Sequence, residues 1–481
     1  MQNYDVVIIG GGISGLMAAY QLRNNDNNIK IAIVDKGKKL ENRKCPASEK
    51  SACMHCKTCS ITSGYAGAGA FSDGKFNMGI NYGGTLGEEL GETTAMQYIS
   101  YMNDILNKFY DSQIVNTFGI DDNLKKKCLQ NNLKLLDMEV KHYGTDGNLF
   151  LMNNLIKWLD SHYVDMFDET VVTDIIKLEC KNFYSKPENI EEAFAAPIES
   201  KYCIKCNTDA FYSKIVVIAT GRNGADFVNG ICDKFSIPCA TNAVDIGVRV
   251  EMKDLIWKDF SSKIYEPKIL YKTKTFEDNC RMFCFNPGGI VSAENNDGII
   301  TANGHSFSDD DKRTENCNFA ILSSINFTEP FNKPTAYAQN YSSMANVVGA
   351  GNVIVQRFGD LTRGRRTNEK RLNENTVKPT LKATAGDLSL VLPYRILTNI
   401  IETIYALDRV APGTANDDTL LYGCEAKYYS SKPKHDKNFM IYDNIYLIGD
   451  GSGICRGLSQ SGAMGLYVAD MIISYSDIYS E

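Results

Sequence analysis

Residues 4–22 read "YDVVIIGGGISGLMAAYQL", and their reading decides the fold. Val6-Val7-Ile8-Ile9 is a continuous apolar run, the pattern of a strand buried on both faces of a parallel sheet. Gly10-x-Gly12-x-x-Gly15 follows, and then Leu16, Ala18, Ala19 and Leu22 fall at helical spacing. Gly10 permits a tight turn, Gly12 lets the main chain approach a pyrophosphate, and Gly15 lets helix and strand pack closely. Ile13 and Ser14 open the helix, whose free N–H groups and positive dipole end suit phosphate.

A second strand, "KIAIVD", ends at Asp35-Lys36, with the carboxylate twenty residues beyond Gly15, the place of a ribose 2′-OH acceptor. NAD and FAD both offer that hydroxyl. Two later segments discriminate. "SKIVVIATGRNG" (213–224) is a strand running into Thr220-Gly221-Arg222. "DNIYLIGDGSGICRG" (443–457) is a strand ending in Gly449-Asp450, followed by a helix from near Gly457 with small residues including Gly462. A carboxylate there can hold a ribityl or phosphate-side hydroxyl, and the helix N-terminus suits the pyrimidine end of a flavin. In this order the segments resemble the flavoproteins with two dinucleotide-binding folds, which implies FAD.

The resemblance narrows with "GYAGAGAFSDGKF" (64–76), "YGTDGNLFLMNNL" (143–155), "IGVRVE" (246–251), "MFCFNPGG" (282–289), "TANGHS" (301–306), "LLYGCEAKYY" (420–429) and "GDGSGICRG" (449–457). Together they look like the bacterial FAD-dependent dehydrogenases labelled NAD(FAD)-utilising dehydrogenases. The resemblance implies an FAD-dependent oxidoreductase acting on a small organic substrate by hydride transfer at flavin N5. It also implies that Val171, at the start of "VVTDIIK", lies toward the adenine. Only one GxGxxG is present, since "VVGAGNVIV" (347–355) lacks the third glycine. NAD(P)H is therefore expected only as a transient donor.

These readings predict an α/β protein. A discontinuous Rossmann-like FAD-binding domain, mostly parallel with a small antiparallel meander, spans 1–86, 140–225 and 425–481. A helical segment covers 87–139, and an α+β substrate domain covers 226–424. Met96, Ile99, Met102, Ile105, Leu106 and Phe109 predict an amphipathic core helix.

In the small-residue run after the cysteines, Gly67, Ala68, Gly69, Ser72, Asp73 and Gly74 are expected to contact the cofactor. Candidate catalytic groups are Lys75, Cys284, His305 and Arg456, for which plain structural roles are the alternative. Cys203-x-x-Cys206 has redox spacing but lies in the expected meander, away from a helix N-terminus. "RFGDLTRGRRTNEKR" (357–371) reads first as a solvated face and second as an anion site.

Cys45, Cys53, Cys56 and Cys59 fall within fifteen residues. Four thiolates so spaced suit a [4Fe-4S] cluster or zinc, with a redox disulfide or inert thiols as alternatives. A cluster would favour a second reading, electron transfer or redox sensing with a protein partner. An RNA-modifying flavoenzyme is a third.

Composition bounds the rest. The 481 residues are 43% hydrophobic and 23% charged, with net charge −7. That sign gives no support for nucleic-acid or anionic-membrane binding. Fifteen scattered cysteines do not form a secreted disulfide framework, and no apolar run has the ~20 residues of a membrane span. A cytoplasmic protein is expected.

Overall fold

The computed structural model describes residues 2–26, 28–46, 56–72, 74–81, 84–110, 116–119, 121–137, 139–178, 200–240, 242–264, 266–296, 298–306, 310–325, 333–427 and 429–478. Cys53, Asp73 and residues 179–199 lie outside them. The chain divides into two compact units, Met1–Asn116, Val140–Ala240 and Ser430–Glu481, and Thr117–Glu139 with Thr241–Tyr429.

The first unit is built on a parallel sheet. Strand β1 (Gln2–Ile9) leads into helix α1 (Ile13–Asn25), then β2 (Ile31–Val34), and later β3 (Ala210–Ile218), β4 (Ile445–Leu447) and helix α2 (Leu458–Ile478). β1 lies between β2 and β3, and β4 extends the sheet beyond β3. Val34, Ile9, Ile218 and Leu447 stand in register across these four strands. The turns after the four strands therefore emerge along one edge, with Asp35, Gly10, Thr220 and Gly449 at their starts. Strands Val172–Lys177 and Tyr202–Cys206 add antiparallel pairs beside β3, the expected meander. Val6, Val7 and Ile8 are fully buried, as their unbroken apolar run requires.

Helix Glu92–Phe109 buries Ala95, Ile99, Met102, Ile105 and Leu106, whereas Met96 is 39% exposed. Ile99, Met102, Ile105 and Leu106 thus form the expected core face, and only at its first turn does Ala95 take the place of Met96 in the i, i+4, i+7 row. Among the described residues, no helix is long and apolar enough to cross a membrane.

The second unit holds an eight-stranded sheet with central strand Val244–Lys253, flanked by Asn316–Ile325 and Leu420–Lys427. Along that strand Val244, Ile246, Val248, Val250 and Met252 join an apolar core with helix Tyr394–Asp408. The alternate positions Asp245, Arg249 and Glu251 are buried too. Arg249 pairs with Glu425 (Nε to Oε2, 3.2 Å) and donates to Cys284 O and Asn303 Oδ1, each at 3.0 Å. Glu251 accepts from Tyr422 Oη (2.5 Å), Thr380 Oγ1 (2.5 Å) and Asn316 Nδ2 (3.0 Å).

Most of the arginine-rich stretch 357–371 is a solvated face, with residues 362–366 and 368–370 exposed, but it is anchored on one buried acid. Fully buried Asp360 accepts from Arg365 Nε (2.7 Å), Thr367 Oγ1 (2.7 Å) and Arg371 Nε (3.0 Å). Arg357 bonds Asp418, and Arg363 bonds Asp417 at 2.7 Å. Burial pushes the Asp360 carboxyl up, but the bonds from Thr367, Arg365 and Arg371 outweigh it and hold the group below its usual range. Asp360→Asn should cost about 1–2 kcal/mol by denaturant unfolding, since it removes charge-assisted bonds while leaving cations that remain partly solvated. The folded carboxyl titrates below its unfolded value of about 3.9, so its contribution is complete above about pH 4 and fades as pH falls through the folded value. The stability gap between wild type and Asp360→Asn should therefore narrow only in that acid window.

Candidate functional site: a dinucleotide cradle

Each glycine of the first loop has its own reason. Gly10 has φ +110°, and an added Cβ would lie 2.4 Å from Ala219 O. At Gly15 an added Cβ would lie 2.1 Å from Gly10 O, so strand and helix meet backbone to backbone. At Gly12 the nearest atom to an added Cβ is Gly67 Cα at 3.9 Å. The space beside Gly12 is open and walled by main chain.

That space lies at the start of α1. Gly12 caps the helix without a side-chain bond, and its first turn carries no acid. Asp35 is 8% exposed, and its two carboxylate oxygens accept from Gly11 N and Gly37 N, each at 2.8 Å. Two main-chain donors thus fix the acid beside the phosphate loop, leaving its remaining lone pairs for hydroxyl groups. An uncapped helix N-terminus, an open position at Gly12 and an oriented carboxylate fit a dinucleotide.

The 64–71 segment closes against this loop. Ala66 N–H donates to Gly11 O (2.8 Å), and Tyr65 lies under Gly11, where an added Cβ would meet Cδ1 at 2.7 Å. Tyr65 Oη donates to Ile33 O (3.0 Å). Gly67 has φ +62°, the left-handed region that favours glycine, and leads into the turn Ala68–Phe71. Gly69 packs on Leu458, the first residue of α2. Fully buried Asn148 holds the turn by donating to Gly69 O (2.7 Å) and Ala70 O (3.2 Å).

At the far strand ends Arg222 donates to Asp450 Oδ2 through Nε (3.1 Å) and Nη2 (2.9 Å). Thr220 lies over Gly224, and its Oγ1 is buried without a hydrogen-bond partner. Gly449 packs on Ser14, where an added Cβ would meet Oγ at 2.5 Å. Exposed Lys36 reaches Asn223 O at 3.4 Å.

Several residues expected at the cofactor also have packing or local partners. Gly462 faces Met102, whose Sδ would lie 2.4 Å from an added Cβ, so this glycine serves helix packing. Gly74 is enclosed by Asn148, Gly144 and Tyr143. Ser72 donates to Gly69 O (2.7 Å) within the turn. Val171 is 37% exposed, and its N–H donates to Asn207 Oδ1 (2.8 Å). Gly457, at φ +147°, precedes α2.

The candidate catalytic groups divide between the units. Lys75 opens strand Lys75–Asn77 opposite His142, and half-buried Arg456 lies in the turn before α2. Both belong to the first unit. In the second unit, His305 ends strand Ile299–His305. Cys284, at φ +54°, interrupts the pairing of Asn279–Asn286. Its thiol is raised, first by burial and then by the charge of Glu266.

Among the described residues no group of three or more His, Cys, Asp or Glu side chains suited to a metal occurs, and Cys53, one of the four expected ligands, lies outside them. Cys203 and Cys206 lie on a strand, where burial raises both thiols, that of Cys206 to about 12.

Arg43 had no signal in the sequence, and Tyr65 and Asn148 lie within the 64–76 and 143–155 motifs without being distinguished there. Arg43 is 4% exposed and reaches three main-chain carbonyls, Ser60 O, Ile61 O and Tyr65 O. Burial pulls its guanidinium down to about 10, against the charges of Asp35 and Cys59, so it remains a cation at neutral pH.

Residues 4–82 match the family model described as pyridine nucleotide-disulphide oxidoreductase, and residues 243–428 match that of "FAD-dependent protein, C-terminal domain-like". No curated protein matches. Among solved structures, L-proline dehydrogenase from P. horikoshii is 12% identical with a TM-score of 0.40, covering 98% of this chain and 94% of that one. Glycine oxidase from Geobacillus kaustophilus is 11% identical with a TM-score of 0.41, covering 98% and 95%. L-alpha-glycerophosphate oxidase from Mycoplasma pneumoniae with FAD bound is 11% identical with a TM-score of 0.39, also covering 98% and 95%. The cradle and the two family matches define an FAD-dependent oxidoreductase. The chain is an enzyme of that class.

The closest approach in the cradle is directly testable. Gly15→Ala should cost about 1–3 kcal/mol by chemical denaturation even without ligand, because the Gly10 carbonyl cannot move aside as a flexible side chain would.

Proposed function

We propose that the first unit holds FAD along the strand-end edge and that the second unit carries the determinants of choice for a small organic substrate. The observation that carries this reading is the open, main-chain-walled position at Gly12, beside an uncapped helix start and an oriented Asp35. Gly10, Gly12, Ile13, Ser14 and Gly15 would bind the pyrophosphate, and Asp35 the ribose. Segments 67–74 and 449–457 would line the rest, with the Arg222–Asp450 pair fixing their far end. When bound, FAD supplies hydride chemistry at its N5 position.

In this reading Lys75 and Arg456 bind or orient an anionic group, and His305 holds a proton for transfer. The raised thiol of Cys284 favours a structural part for that residue. The finer family is that of the NAD(FAD)-utilising dehydrogenases, in the cytoplasm, with NAD(P)H or a redox protein as transient donor. A [4Fe-4S] cluster or zinc on Cys45, Cys53, Cys56 and Cys59 is a separate proposal and rests on spacing alone.

Gly12→Ala tests the cradle. At φ −72° and with open space the alanine fits the apo fold, so stability should stay within about 0.5 kcal/mol of wild type. FAD affinity, measured by quenching of flavin fluorescence, should fall about tenfold or more, since the methyl enters the ligand's space. Unchanged affinity would sink the assignment.

Anaerobic spectroscopy with iron and zinc quantitation tests the rest. Bound flavin should bleach with NAD(P)H or dithionite and recover with one class of small substrate faster than with oxygen. Recovery only with a redox protein would move the reading to electron transfer. Stoichiometric iron or zinc would support the four-thiolate set, and their absence from anaerobically purified protein would remove it.

A further inference from the structure

We propose that Arg43 is a positioning residue for FAD, one that shapes the cradle in advance through the 59–67 segment. The inference rests on the reading that the Gly10–Gly15 loop holds the cofactor. Arg43 belongs to no expected motif, yet its planar fork joins three carbonyls of one turn: Nε to Ser60 O (2.9 Å), Nη2 to Ile61 O (2.7 Å) and Nη1 to Tyr65 O (2.6 Å). Its guanidinium lies over the Phe71 ring, 4.7 Å from the centroid. Its stem runs against Gly64, where an added Cβ would meet Arg43 Cδ at 2.8 Å.

The turn so closed touches both poles of the cradle. Toward the phosphate end, Tyr65 supports Gly11 and Ala66 N–H donates to Gly11 O (2.8 Å). Toward the ribose end, an added Cβ on Gly37 would lie 2.4 Å from Gly64 N, and Gly37 N–H is one of the two donors to Asp35. Tyr65 N–H donates to Lys38 O (3.1 Å), fastening the same turn to the segment after Asp35. One buried guanidinium thus sets the spacing of two backbone segments that approach the ligand. Lysine, with a single compact head, cannot bridge three carbonyls in one plane, so Arg43→Lys is not conservative here. Loops ordered before the ligand arrives cost less to order on binding, and the gain is seen as affinity.

The test is FAD titration of the apo full-length protein carrying Arg43→Lys or Arg43→Ala, with Gly12→Ala in parallel. Both Arg43 variants should keep native far-UV circular dichroism and raise the Kd for FAD about tenfold or more. Millimolar guanidinium should restore affinity to Arg43→Ala, whereas methylammonium should not. Such selective rescue would not follow from a general loss of stability.

If Gly12→Ala weakens FAD binding and folded Arg43 variants stay within twofold of wild type, the Arg43 proposal falls and the cradle stands. If neither weakens binding, the cradle assignment falls as well. Should Arg43→Ala and Arg43→Lys not fold, hydrogen exchange in wild-type apo protein decides. The Tyr65 and Ala66 amides must already be protected before FAD is added, and protection that appears only with FAD would overturn the proposal.

Discussion

A main-chain carbonyl governs the geometry of the first unit. Gly10 O occupies the space that any side chain at position 15 would need. Helix α1 can therefore approach β1 more closely than side chains would normally allow, and its N-terminus opens directly beside the strand end. The same economy of volume recurs around Ser14. Gly449 packs against its Oγ, and Gly465 against its carbonyl, where an added Cβ would lie 2.3 Å away. The turn after β4 and helix α2 thus converge on one small residue of α1, through its side chain and its carbonyl. The strand register makes this convergence useful, because the loop ends that meet here are also the ones that leave the sheet along one edge.

The second unit is organised by a different constraint. Its central strand buries charge on one face and hydrocarbon on the other. Arg249 has Glu425 as counter-ion, while Glu251 is held by neutral donors from Tyr422, Thr380 and Asn316. Buried ions carry a desolvation cost that such bonds roughly offset, so they are a poor explanation of net stability. They are a better explanation of register. A slip of one residue would exchange the two faces, driving Arg249 and Glu251 into the core that contains Val248 and Val250. Gly304 belongs to the same device, because an added Cβ would meet Asn318 Oδ1, Asn286 Nδ2 and Arg249 Nη2 within 2.6 Å.

How much the sequence disclosed depends on where its signals live. The phosphate loop, Asp35 and the two later strands were legible because glycine positions, apolar runs and a spaced carboxylate all report local backbone demands. The meander was legible for the same reason. In helix Glu92–Phe109 only Met96 was misplaced, because it outranks Ala95 in hydrophobicity although the face set by Ile99, Met102, Ile105 and Leu106 passes through position 95. The basic stretch 357–371 reads correctly as a mostly solvated face; what its sequence does not announce is the burial of Asp360, which its neighbours Arg357, Arg365 and Arg371 accompany. Arg43 was hidden more completely, and Tyr65 was marked only by the motif around it. Their partners are main-chain carbonyls, and a residue that bonds to backbone leaves no complementary residue type to be recognised.

The cysteines show how composition can mislead about chemistry. Fifteen in one chain suggests thiol function, yet burial raises most of those whose titration is clearly perturbed: Cys128 and Cys280 to about 11, Cys206, Cys232 and Cys424 to about 12, and Cys203, Cys284, Cys317 and Cys455 upward as well. Thiols held in the protonated form are poor nucleophiles and poor ligands, so these act as small apolar side chains. Cys59 behaves differently. Partial burial works against its charge, but bonds from Thr62 and the Ile61 amide, together with the Arg43 cation, hold it below the usual thiol range. The cation that closes the turn beside the cradle is also the one that favours this thiolate. The shape of the phosphate loop and the electrostatics of the cysteine segment therefore share one residue, and neither can be altered at Arg43 without the other.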